Sequence, residues 1–256
     1  MAGINRGIVA SVVLGLIAML SLSGCTAAPA SVKAPEASRA TAAWQGFSVS
    51  GDHPVAADGS QDTNAQADGE ACDSAQLAIN QALGGQIATG FAASSFPTAA
   101  DLLRHFLKGT GTAVNYPAGS QISKLASASP EFAAVRGEVQ AAVTKQLAAG
   151  KSRVLLSAGQ LPLATFGSTS SDLYWAFRGT QGLTVTGSGT RKGGRYVGTL
   201  TFVIRDIYGF PVDDTLGGFG PPMRYLQTVC GAPQHAGGAH WFPDSVTVTV
   251  PFNRPA

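Results

Sequence analysis

Residues 191–204 read RKGGRYVGTLTFVI, and two features of this stretch decide the fold class. Gly193-Gly194, set between charged flanks, is a hairpin turn, because the favoured two-residue turn needs positive φ at both central positions. From Tyr196 the period is two, so Tyr196, Gly198, Leu200, Phe202 and Ile204 share one face of a strand. Leu183-Thr184-Val185-Thr186 alternates on the near side of the turn. A last strand follows the same rule in Ser245 to Phe252, with Val246, Val248, Val250 and Phe252 facing in, Thr247 and Thr249 facing out, and Pro251 marking an edge or terminal position. From Lys151 onward the signals are those of antiparallel strands.

Upstream the period lengthens to helical. Asp73 is placed to cap a helix that Gly84 and Gly85 stop after Leu83, and Thr98 with Asp101 resembles a capping box for Ala99 to Lys108. Ser129 at a cap, Pro130 at the first helical position and Glu131 in the first turn precede Phe132, Val135, Val139, Val143 and Leu147, with Gly150 ending the run. Met223, Leu226 and Val229 suit one short helix within Pro222 to Cys230. Tyr174, Trp175 and Phe177 read as a strand. The expectation is an α+β fold, N-terminal helices packed on a C-terminal antiparallel β-sheet, in one domain spanning 71–256 with a helical part 71–150 and a β-rich part 151–256.

The leader carries a different signal. Arg6 is the only charge before sixteen uncharged residues, Gly7 to Leu22, and small residues precede Cys25, the layout of a secretory signal peptide rather than a spanning helix. Leu22-Ser23-Gly24-Cys25 resembles the lipobox of bacterial lipoproteins. That resemblance implies removal of residues 1–24, acylation of Cys25 and a lipid-anchored protein on the extracytoplasmic face of the cell membrane; the alternative is an ordinary secretion signal. Residues 25–70, rich in Ala, Ser, Asp and Gly, read as a flexible tether, with an apolar island at Trp44 to Phe47 that docks on the folded body or on a partner.

The chain has 17 Lys and Arg against 15 Asp and Glu, a net charge of +2 that argues against nucleic acid as a partner. The partners expected are the membrane, through the lipid, and an envelope polymer or protein. With Cys25 committed to lipid, Cys72 and Cys230 form an even pair in an oxidising compartment, and a disulfide between them is expected.

Motifs that would name an enzyme fail letter by letter. Lys145 stands where a phosphate-binding loop ending at Gly150-Lys151-Ser152 needs glycine, and Ser120 and Lys124 are four apart rather than three. His235 and His240 show no HExxH spacing and lack a local third ligand, so no metal and no cofactor are expected. The one catalytic candidate is a matter of parity. Asp206 and Tyr208 continue the inward face of Ile204, and an inward carboxylate must find donors or hold a proton. Asp213 and Asp214 follow in a loop, and Arg205, Arg224, His235 and His240 are the residues that would build a general acid or base site with Asp206 and Tyr208; alternatively Asp206 ends the strand by bonding the turn that follows. Binding candidates are the cationic hairpin tip (Arg191, Lys192, Arg195) and two aromatics, Trp175 and Trp241, suited to stacking on sugar rings if exposed.

Tyr196-Val197-Gly198 through Asp206-Ile207-Tyr208 resembles colicin M type bacteriocins, which hydrolyse the lipid-linked peptidoglycan precursor outside the cytoplasm. Asp206 and Tyr208 match the first two places of the Asp-x-Tyr-Asp signature. Gly209 stands at the second Asp and Thr215-Leu216 at the later His-Arg, so the likeness covers about thirteen residues and implies at most a shared strand-and-turn shape. Two readings result: a lipid-anchored binding or interaction module, and an envelope-directed hydrolase using Asp206, Tyr208 and one histidine.

Overall fold

The Gly193-Gly194 turn forms with φ of 55° and 70° and joins β4 (Gly182–Lys192) to β5 (Arg195–Tyr208) in continuous antiparallel register. β6 (Phe242–Pro255) pairs along the other side of β5 over its whole length. Three further strands complete the sheet, β1 (Gly46–His53), β2 (Val114–Tyr116) and β3 (Arg153–Leu156), in the order β2-β6-β5-β4-β1-β3. The computed structural model describes residues 46–55, 71–210, 220–231 and 236–256; the leader, Cys25, Trp44, Asp213, Asp214 and His235 lie outside them.

Five expectations need correction, the first two of them in the sheet. The sheet is mixed rather than antiparallel, since β1 runs parallel to β3 and β2 parallel to β6. Parallel neighbours need a long crossover, and the helices between β1 and β3 provide it. The tether does not extend to residue 70 either, because β1 is an interior strand held by β4 on one side and β3 on the other. Its Phe47 and Val49 are buried while Ser48 and Ser50 face water, a four-residue alternation hidden by a Ser- and Ala-rich neighbourhood. Phe47 docks on the body as the apolar island suggests, its ring 6.2 Å from Tyr196 and 5.7 Å from Phe252.

The helices are α1 (Ser74–Ala93), α2 (Pro97–Leu107), α3 (Gln121–Ala128), α4 (Pro130–Ala148), α5 (Asp172–Phe177) and α6 (Gly220–Arg224), the last continuing as one π-type turn through Val229. Gly84 does not stop α1. A Cβ there would lie 2.7 Å from Leu107 Cδ2, so the glycine serves the close approach of α1 to α2. Thr98 does not cap α2; the Thr98 and Ala99 amides donate to the Asp172 carboxylate at 3.0 and 2.9 Å, a cap delivered from α5. Tyr174 to Phe177 are helical rather than a strand, because the Ser171 hydroxyl accepts the Leu173 amide and starts α5.

The α4 stripe packs as its spacing predicts: Phe132, Val135, Val139, Val143 and Leu147 are all buried, Phe132 meets Phe202 edge-on at 5.2 Å, and Tyr196 Oη donates to Leu147 O at 3.0 Å. α2 adds Phe106 against Tyr208 at 6.2 Å, and α3 ties to the sheet through Ser123 Oγ donating to Thr247 O at 2.7 Å. The core therefore lies between the helices and one face of the sheet.

Candidate functional site

β5 runs past Ile204, and Asp206 and Tyr208 turn inward as parity requires. The residue directly across from Asp206 is Asp244 of β6, so two carboxyl groups face each other on the buried side of one antiparallel pair. They are 8% and 2% exposed. Asp206 Oδ1 accepts the Ile207 amide at 2.9 Å, whereas both Asp244 oxygens are sealed from solvent and, among the described residues, find no hydrogen-bond partner beyond the backbone of Asp244 itself.

Burial controls the chemistry of this pair. Loss of hydration pushes Asp206 up to about 8, opposed only in part by the Ile207 amide and by Arg178. Asp244 is raised well above the ordinary carboxylate range, first by burial and then by the charge of Asp206. Two like charges across a strand pair in a low-dielectric setting do not both ionise, so the pair retains at least one proton at neutral pH. Tyr116, on the same face of β2, is raised by its own burial and then by Asp244.

Beside the pair is a cavity of about 320 Å³, lined by Val55, Asn115, Val203, Arg205, Asp206, Ile207, Pro243, Asp244 and Ser245. Val203, Arg205 and Ile207 belong to the outward parity of β5, so the cavity lies on the uncovered side of the sheet. Arg205 is fixed there: it donates to Asp52 Oδ1 at 2.6 Å and to His53 O at 2.9 Å. The cation whose charge acts on Asp206 is instead Arg178, which follows α5 and lies over the Tyr174 ring.

The other candidates are placed as follows. Tyr208 stacks on Phe242 at 5.4 Å and touches Phe106 and Phe210, inside an aromatic cluster. His240 Nδ1 lies 2.6 Å from Trp241 O, and neither it nor Tyr208 lines the cavity among the described residues. Among the described residues Asp206 does not bond the turn that follows Tyr208; Gln227 does, accepting the Phe210 amide at 2.9 Å. Trp175 lies tilted against Phe91 at 5.3 Å and donates to Thr169 O, and Trp241 is half-buried against His240, so neither ring is an open stacking platform. Arg191, Lys192 and Arg195 are exposed at the hairpin tip.

The side of the sheet away from the helices is a different surface. Ser50, Thr186, Thr201 and Thr249 form one cross-strand row, and Ser48, Ser188, Thr199 and Pro251 the next. Most of these side chains are exposed, and the rows carry hydroxyls and methyls but no charge.

Cys72 and Cys230 form the expected disulfide, joining the start of α1 to the end of the turn after α6. Among the described residues no group of three or more His, Cys, Asp or Glu could hold a metal ion, and no helix is long and apolar enough to cross a membrane. No family, curated protein or solved structure matches the chain.

Asp244 is the site residue that sequence reasoning missed. The signal was present, since Phe242 and Asp244 extend the alternation of Val246 to Phe252 by two steps toward the N terminus.

Proposed function

We propose that this chain is a cell-envelope lipoprotein, anchored outside the cytoplasm through acylated Cys25, whose folded body works by binding rather than by catalysis. The observation that carries the second half is the state of the carboxyl pair. A general acid or base must reach its substrate, and although Asp206 and Asp244 border the cavity, the Asp244 oxygens are sealed from solvent and meet no side-chain donor among the described residues, while Tyr208 packs in the aromatic cluster. The pair then serves as interior structure, neutralised by a retained proton. The export half is supported by the lipobox-like Leu22 to Cys25 and by the disulfide, which persists in oxidising compartments.

The surface such a module offers is the uncovered sheet face. Its rows of Ser and Thr suit a hydroxyl-rich, uncharged partner such as a glycan strand, which matches hydroxyl to hydroxyl without desolvating a charge. The test is thermal unfolding of the mature chain with Cys25→Ser against peptidoglycan fragments, lipid-linked precursor and neutral glycans, with each mixture assayed for turnover. The expected result is a raised Tm with an unchanged glycan, lost in Thr186→Lys/Thr201→Lys. Turnover abolished by Asp206→Asn overturns the reading in favour of the hydrolase.

A further inference from the structure

We propose that the Gly193-Gly194 end of the sheet docks on anionic lipid headgroups, seating the domain on the bilayer to which Cys25 is anchored; the inference deepens the lipoprotein reading and rests on it. The 17 Lys and Arg and 15 Asp and Glu of the chain nearly balance overall, but the cations are not spread evenly along the strands.

Six of those cations gather at one end. Arg191, Lys192 and Arg195 flank the turn, and Arg254 of β6 is in register with Tyr196 beside them. Lys151 and Arg153 arrive through the start of β3, where the Ser48 amide donates to Ser152 O at 2.9 Å. All six are exposed. Three of them bond neutral side chains: Arg195 Nε donates to Asn253 Oδ1 at 2.6 Å, Lys151 Nζ to Gln146 Oε1 at 3.4 Å, and Arg254 to Gln140 Oε1. No acidic residue occurs in β3, in β4, in β5 before Asp206, or in β6 after Asp244, so the positive field is not cancelled along the strands.

Connectivity gives this end its partner. β1 begins at Gly46, opposite Thr190, one residue from the cationic turn. The segment that carries Cys25 therefore joins the body at the basic end. Only twenty residues separate Cys25 from Gly46, a span of at most about 70 Å. A lipid at Cys25 holds the six cations within reach of the headgroups at high effective concentration, where each Lys or Arg near an anionic surface adds to binding.

The test uses the mature chain with Cys25→Ser, so that no acyl chain contributes, and sedimentation with vesicles of phosphatidylglycerol and phosphatidylcholine or of phosphatidylcholine alone. The expected result is binding to the anionic vesicles only, released by 0.5 M salt at about one Debye length of 4 Å. Arg191→Glu/Lys192→Glu/Arg195→Glu is expected to weaken binding at least about 100-fold, and Lys108→Glu/Lys124→Glu, away from this end, to leave it unchanged. Equal binding to both vesicles, equal loss in the two variants, or capture of soluble polyglycerol phosphate without vesicle binding each overturns the inference. Acylated Cys25 without vesicle binding by the unlipidated chain overturns the docking surface alone; vesicle binding with unmodified Cys25 in the cell overturns the anchor alone.

Discussion

The two ends of β5 handle charge in opposite ways. At its start Arg195 stands in water beside Arg191, Lys192 and Arg254, where like charges are screened and none is desolvated. At its end Asp206 faces Asp244 beneath the helices, where hydration is gone and charge is avoided by keeping a proton. One strand thus carries a surface that acts through its charge and a pair that is stable only without it. An ionisable residue's letter does not say which of these it is; its depth in the fold does.

The largest effect expected from this contrast is a fall in stability as pH rises. In the folded state Asp206 keeps its proton up to about 8, whereas an unfolded Asp releases it near 4, so unfolding releases protons across that window. Stability is then highest at the acid end of the window and declines toward pH 8, by roughly 3 to 6 kcal/mol. Urea melts at pH 5 and pH 9 measure the decline. Asp206→Asn/Asp244→Asn is expected to abolish it, leaving the variant more stable than the parent at pH 9.

Breaking the Cys72–Cys230 disulfide, which ties α1 to the segment supporting the acid end through Gln227, is expected to cost roughly 2 to 5 kcal/mol. Chemical denaturation with and without reductant, or of Cys72→Ala/Cys230→Ala, reads it. Asp172→Ala removes a buried carboxylate that accepts two α2 amides and is expected to cost about 2 to 3 kcal/mol, with protection from hydrogen exchange lost first at Thr98 and Ala99. Asp172 sharpens the comparison, since a buried carboxylate with two good donors is the case that Asp244 is not. The smallest effect belongs to the tip. Arg191→Glu/Lys192→Glu/Arg195→Glu is expected to shift stability by less than about 0.5 kcal/mol, measured by thermal melts, even though the same change removes vesicle binding.

Most of what is local was legible in the sequence. The hairpin at Gly193-Gly194, the inward parity of β5 as far as Asp206 and the α4 stripe each follow from a few adjacent residues. What failed depends on distant partners. β1 is stabilised by neighbours that lie more than a hundred residues away, so its composition reads as linker until Phe47 and Val49 find the core. The α2 cap comes from Asp172, and the partner of Asp206 is Asp244, neither of which local periodicity can name. The basic end was likewise read only at its tip. Arg153 and Arg254 join it through strand register alone.

The measurement that bears most directly on a binding role over a catalytic one is a pH titration of the Asp206 and Asp244 carboxyl carbons by NMR. A sealed, structural pair titrates in coupled steps, both displaced well above the ordinary carboxylate range by burial. Two independent transitions near pH 4 would mean that both carboxylates are open to water, and would contradict the account.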